Sequence, residues 1–247
     1  MSTSHLQQLI LQIEFLKTIA VIKATTLGMN IWIIAATDFE VQAAKKVLLN
    51  ETFENCSVHF LTTGVGMLLS AVKLTQLCLE QKPDLLLQAG VAGSFTNNFP
   101  LNSLTIVQQE AFGDLGVVED TVWKDLFDLK LLSKNEVPFK DGFIINQHIA
   151  KWNVTNLPKA NAVTVNTITT EPHRIDLLQK KYAAHIETME GMVLHYVGAY
   201  FQIPYLQIRA ISNFVGERNK QNWTLQTAIE QLNKHLVAYV HAINKNR

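Results

Sequence analysis

Three short apolar runs, IWIIAA (31–36), DLLLQAG (84–90) and PYLQIRAIS (204–212), constrain this chain more than any other feature. Each is too short for most helices, and each gives way to polar or glycine residues. Stretches with helical spacing alternate with them. VQAAKKVLL follows the first run, MLLSAVKLTQLCLEQ comes after a further strand candidate, SVHFLTTGVG, and MEGMVLHYVGAYFQ precedes the last run. Strands alternating with helices predict a layered α/β fold around a largely parallel sheet. SLTIVQQ (103–109) and NAVTVNTI (161–168) are further strand candidates, and the stripe Leu225, Ile229, Leu232, Leu236, Val240 and Ile243 predicts a packing helix. No linker, repeat or low-complexity segment divides this region, so residues 29–247 read as one domain. Residues 1–28 carry helical spacing of their own (Leu6, Leu9, Ile10, Ile13, Leu16, Ile22) and read as a dispensable N-terminal extension.

Composition removes several function classes. Of 247 residues 48% are hydrophobic, and 21 basic residues balance 21 acidic ones, which excludes a disordered chain and argues against nucleic acid as partner. No apolar run reaches the roughly 18 residues that span a bilayer. The two cysteines, Cys56 and Cys78, form neither a disulfide framework nor a zinc pattern, which suits a reducing cytoplasm. The eight histidines show no ligand spacing, so no metal is expected. A dinucleotide fingerprint, a P-loop and a GxSxG elbow are also missing.

In open α/β sheets ligands collect beyond the carboxyl ends of the strands. The segments to inspect are therefore Thr37–Glu40, Gly64–Gly66, Gly90–Ser94, Ser212–Gly216, and Glu187–Gly191 at the predicted start of a helix. Each has a plain reading beside the functional one. The glycines of GVG and GVAGS suit a ligand-approaching backbone or an ordinary turn. Glu40 at a helix start is a capping acid or a catalytic one. Glu187 and Glu190 suit a solvated helix start, although Glu190 sits in an apolar stretch. Asn213 suits a turn. Their shared placement, two or three acids and a carboxamide at one sheet edge, is what makes them a candidate site.

The segments MNIWIIAATDFEV, GVAGSF, TMEG and RAISNFVG, in this order over about residues 30–240, resemble the purine nucleoside phosphorylase/nucleosidase superfamily. GDLGVVED (113–120) and RAISNFVGER are similar to its futalosine hydrolase branch, a relative of the methylthioadenosine/S-adenosylhomocysteine nucleosidases. The resemblance implies a three-layer α/β/α sandwich with a central mixed, partly barrel-like sheet, assembled as a homo-oligomer, without a cofactor. It also implies roles. Glu40 matches the acid that activates water for attack at C1′ of a ribose, Met189 the residue packing on the sugar, and Glu190 the carboxylate binding its hydroxyls. Val91, Ala92 and Gly93 match a loop beside ribose and base. Asn213 matches the contact to purine N7, and Asn166–Thr169, including Thr167 and Ile168, the base-side loop.

The implied activity is hydrolysis of the N-ribosidic bond of futalosine, releasing hypoxanthine and dehypoxanthinyl futalosine on a route to menaquinone. The alternatives are a methylthioadenosine/adenosylhomocysteine nucleosidase, a purine nucleoside phosphorylase, or a non-catalytic nucleoside-binding domain. Two residue arguments bear on the choice. Adenosine-type nucleosidases carry Asp where this chain has Asn213, and a carboxamide suits a 6-oxopurine better than adenine. The four arginines, Arg174, Arg209, Arg218 and Arg247, avoid the loops where a phosphorylase holds phosphate, which favours water as nucleophile. Phe95, Phe112 and Phe214 are candidates for an apolar pocket on the 5′ side.

Overall fold

A computed structural model describes residues 28–246, so the N-terminal extension read from the sequence lies, Gly28 aside, outside the described residues. The chain runs β1 (Met29–Ala35), α1 (Asp38–Leu48), β2 (Cys56–Thr62), α2 (Met67–Gln81), β3 (Leu85–Ser94) and β4 (Leu104–Phe112). A small hairpin of β5 (Gly116–Glu119) and β6 (Val122–Asp125) follows, then β7 (Ile144–Ile145), α3 (Ile149–Trp152) and β8 (Lys159–Thr164). The last part is α4 (Pro172–Tyr182), β9 (Ile186–Thr188), α5 (Gly191–Phe201), β10 (Tyr205–Phe214) and α6 (Leu225–Lys245).

The order β10-β4-β8-β9-β3-β1-β2, with β10 also paired to β3, makes five strands close on one another while β1 and β2 extend the sheet from β3. β1, β2, β3 and β10 pair in parallel, whereas β9 and β4 meet their neighbours β3 and β10 antiparallel, so the sheet is mixed. Alternation along the strands divides the core into layers. Ile31, Ile33, Leu85 and Leu87 pack beneath α1 and α6, with Ala44, Leu48, Leu232, Leu236 and Val240. Ile34 and Leu86 face the other way, onto α2 and α5, with Leu74, Leu77, Leu194 and Val197. Each of the buried Ile, Leu and Val side chains contributes roughly 1.5–3 kcal/mol by leaving water. The result is the expected three-layer α/β/α sandwich.

Three local expectations are corrected. Gly90–Ser94 is not a turn: β3 continues through Ser94, because β10 and β9 go on pairing with it. Of GVG and GVAGS, it is GVG that turns, with Gly64 at φ 90° and Gly66 at φ 91°, where a Cβ is disfavoured. Glu187 and Thr188 do not begin a helix; they belong to buried β9, and α5 starts at Gly191 with Glu190 as its N-cap. Asn213 is not a turn residue either, since β10 runs to Phe214.

Candidate active site

The carboxyl ends of β1, β3 and β10 and the start of α5 surround a cavity of about 290 Å³. Glu40, Val91, Ala92, Gly93, Met189, Glu190 and Asn213 all line it, as does Ile168. Thr167 does not; it is exposed, and its N–H donates to Asp114 Oδ2 at 3.0 Å. Phe95, Phe112 and Phe214 are likewise not among the lining residues, whose apolar wall comes instead from Phe39, Val65, Val215, Trp223, Leu225 and Ile229. Two members of the α6 stripe, Leu225 and Ile229, thus face the cavity, Ile229 being buried and Leu225 exposed.

Glu40 both caps a helix and lines the cavity. It is 8% exposed, and its Oε2 accepts hydrogen bonds from Thr37 N–H and Thr37 Oγ1, each at 3.0 Å, which caps α1. Oε1 turns to β3 and accepts Val91 N–H at 3.2 Å. The helix is pinned in turn by Asn233 of α6, which donates to Glu40 O at 2.8 Å and accepts Ala44 N–H at 2.7 Å. Capping through Oε2 therefore leaves Oε1 directed at β3 beside the cavity.

Glu190 projects from the start of α5, where Oε1 accepts Gly66 N–H at 2.7 Å, the bond for which GVG must turn. Gln88 Nε2 donates to the Glu190 carbonyl at 3.2 Å. Burial raises the Glu190 pKa, Arg209 and the Gly66 N–H lower it, and nearby Glu40 raises it further. Two carboxylates in mutual electrostatic reach form a locally anionic pocket.

Arg209 is the residue that sequence reasoning missed. It is 2% exposed, in the middle of β10, with Nη2 donating to Gln88 Oε1 at 2.5 Å. Its guanidinium and Glu40 Oε1 converge on the spot that a Cβ of Gly90 would fill, the oxygen 2.8 Å from it, so only glycine fits there. A charge inside an apolar strand must be paired to be tolerated, and that was the available signal in PYLQIRAIS.

Asn213 reaches the cavity through a bulge. Ile211 pairs with Ala92 on the core face; the register then shifts, and Asn213, not Ser212, pairs with Gly93. The bulge turns the carboxamide onto the opposite face, a common device beside active sites. Its Oδ1 accepts Ser212 Oγ–H at 2.8 Å and its Nδ2 donates to Phe214 O at 3.0 Å, which leaves one N–H and one lone pair free for a ligand.

A profile described as the phosphorylase superfamily matches residues 32–241. The chain belongs to this superfamily. It is 28% identical over 156 residues to a futalosine hydrolase of Streptomyces coelicolor, covering 62% of this chain and 64% of that protein, just under two thirds of its length. It is 24% identical over 242 residues to a 5′-methylthioadenosine/S-adenosylhomocysteine nucleosidase of Anoxybacillus flavithermus, covering 88% of this chain and all of that one. Among solved structures, futalosine hydrolase of Helicobacter pylori superposes with a TM-score of 0.71 at 18% identity, over 89% of this chain and 98% of that one. That likeness establishes the fold.

Proposed function

We propose that this superfamily member is a purine nucleosidase of the futalosine hydrolase type, cleaving the N-ribosidic bond with water and releasing hypoxanthine. The observation that carries the reading is the gathering of Glu40, Glu190 and Asn213 around one cavity, since such cleavage passes through a cationic sugar while negative charge collects on the departing base. Glu40 holds water for attack at C1′, Glu190 binds the ribose hydroxyls over Met189, and both carboxylates favour the cationic sugar. General-base help is worth roughly 10²–10⁴-fold, and positioned charges often more. Asn213 uses its free N–H on the N7/O6 edge of the base. Arg209 supports water over phosphate as nucleophile, because it is buried, is not among the cavity-lining residues and donates through Nη2 to Gln88.

The relatives themselves include both futalosine hydrolases and methylthioadenosine-type nucleosidases. Asn213 favours the former, as a carboxamide cannot protonate adenine N7. Incubation with futalosine, inosine and methylthioadenosine in phosphate-free buffer is expected to release hypoxanthine from the first at least tenfold faster than adenine from the last. Asn213→Asp is expected to narrow that ratio about tenfold. Equal turnover of futalosine and methylthioadenosine would overturn the assignment.

The same reading includes residues 29–247 as the working domain, a cytoplasmic setting, which the buried thiols of Cys56 and Cys78 support, and assembly of like chains. Leu68, Val72 and Leu79, on one stripe of α2, are 77%, 61% and 63% exposed and support such assembly by offering an apolar face.

A further inference from the structure

The cleavage chemistry leaves one buried acid of the cavity unused. Glu187 lines the cavity from β9 and is 6% exposed. Gly93 of β3 pairs with Glu187 on one side and with Asn213 on the other. Residues paired across strands project to the same face, so acid and carboxamide stand on one face two strand spacings apart, roughly 10 Å, with only a glycine between. A Cβ on Gly93 would lie 3.3 Å from Asn213 Nδ2 and 3.0 Å from Val215 Cγ2; glycine keeps this floor flat. The span suits a planar bicyclic base with a hydrogen bond of about 2.9 Å at each edge.

The bonding of Glu187 is incomplete. Oε1 accepts Thr169 N–H at 3.0 Å, and the Thr169 hydroxyl also favours the carboxylate, while Oε2 has no hydrogen-bond partner. A buried acceptor without a donor is costly, and because Glu187 lines the cavity its Oε2 is placed to take a donor from a ligand there. Burial raises the Glu187 pKa, whereas Thr169 and nearby Arg174 favour the ionised form. The same bond occupies Thr169 N–H, withdrawing that backbone donor from any base in the cavity.

The two edges of a purine differ in what they offer. A 6-oxopurine presents acceptors N7 and O6 on one edge and a donor, N1–H, on the other; adenine presents a bare N1 lone pair there. We propose that Glu187 accepts the N1–H of a 6-oxopurine while Asn213 holds the opposite edge, making Glu187 a determinant of base specificity. The assignment rests on the nucleosidase reading above and adds to it the residue that rejects adenine. A site built to bind a donor discriminates strongly against an analogue that lacks it.

Calorimetric binding of free hypoxanthine, 1-methylhypoxanthine and adenine to the wild-type protein and to Glu187→Gln tests it, alongside kcat and KM for inosine and adenosine. The wild type is expected to prefer hypoxanthine to both other bases by about tenfold to a hundredfold, the worth of one charge-assisted hydrogen bond. Glu187→Gln is expected to shrink the hypoxanthine-to-adenine ratio about tenfold, with KM for inosine rising more than kcat falls. Equal wild-type binding of hypoxanthine and 1-methylhypoxanthine overturns the proposal even if the variant fails to fold. So does an unchanged ratio in a folded Glu187→Gln. If inosine and adenosine are cleaved equally, Glu187 loses its role and the preference for 6-oxopurines falls with it while cleavage itself stands; if no base binds and no nucleoside is cleaved, the nucleosidase reading falls and takes this assignment with it.

Discussion

Glu40→Gln is expected to lower kcat about a thousandfold, within the roughly 10²–10⁴-fold span of general-base catalysis, while binding of substrate or free base changes less than about fivefold. The amide cannot take a proton from water, yet it fills the same space and keeps a carbonyl oxygen for Thr37 N–H and Oγ1. Its NH₂ would then face Val91 N–H, donor against donor, a local cost on the order of 1 kcal/mol. Asn233 still holds the backbone at this position, so α1 stays in place. Steady-state kinetics with a thermal melt and a binding isotherm check this. Activity and binding lost together would leave Glu40 with the cap alone. An undiminished kcat would remove it from the chemistry.

Glu110→Gln is expected to change the pH dependence of stability rather than activity. Glu110 on β4 is fully buried, accepts Thr164 Oγ1–H at 2.9 Å, and is pushed up to about 8 by burial, against the opposing effects of Thr164 and Arg209. Thr164 Oγ1 accepts Met192 N–H at 2.8 Å, which ties this acid to the first turn of α5. In the unfolded chain a glutamate titrates near pH 4.3. The native state therefore keeps a proton that the unfolded state releases. The associated stability is fully present below about pH 4, falls as pH rises, and is lost once pH passes about 8. A neutral carboxamide at this position carries no such penalty and can still accept from Thr164. The variant is expected to match wild type near pH 5 and to exceed it by about 2–4 kcal/mol at pH 8. Denaturant midpoints at the two pH values decide; parallel behaviour of the two proteins would contradict a neutral buried Glu110.

Legibility followed the range of each interaction. β1, the whole of α2 and the apolar stripe of α6 declare themselves through local periodicity, and their readings agree with the structure. The ends of β3 and β10 do not. Gly90–Ser94 and Asn213 look like turns because glycine and asparagine favour turns, but pairing with strands distant in sequence keeps them extended. The bulge that redirects Asn213 and the closure of β10 onto β3 are likewise products of non-local pairing. In the candidate site, Glu40 and Asn213 were legible as polar residues just after apolar runs, and Glu190 as an acid in the apolar start of a helix. Arg209 was hidden inside one, and Glu187 was visible but had no partner until Gly93 placed it opposite Asn213. The phenylalanines proposed for the 5′ side rest on adjacency to motifs, which says little about which way a side chain points; Phe112 lines a different cavity, with Met67, Met192 and Tyr196, on the α2–α5 side.

The central claim is that water, held by Glu40, displaces a purine from C1′ of a ribose. Turnover of futalosine or inosine in phosphate-free, heavy-oxygen water, followed by mass spectrometry of the sugar product, tests it most directly. The account predicts free hypoxanthine and one heavy oxygen on the sugar, with the rate unaffected by added phosphate and both products suppressed in Glu40→Gln. Base release that requires phosphate and yields a sugar phosphate without the heavy label would contradict it.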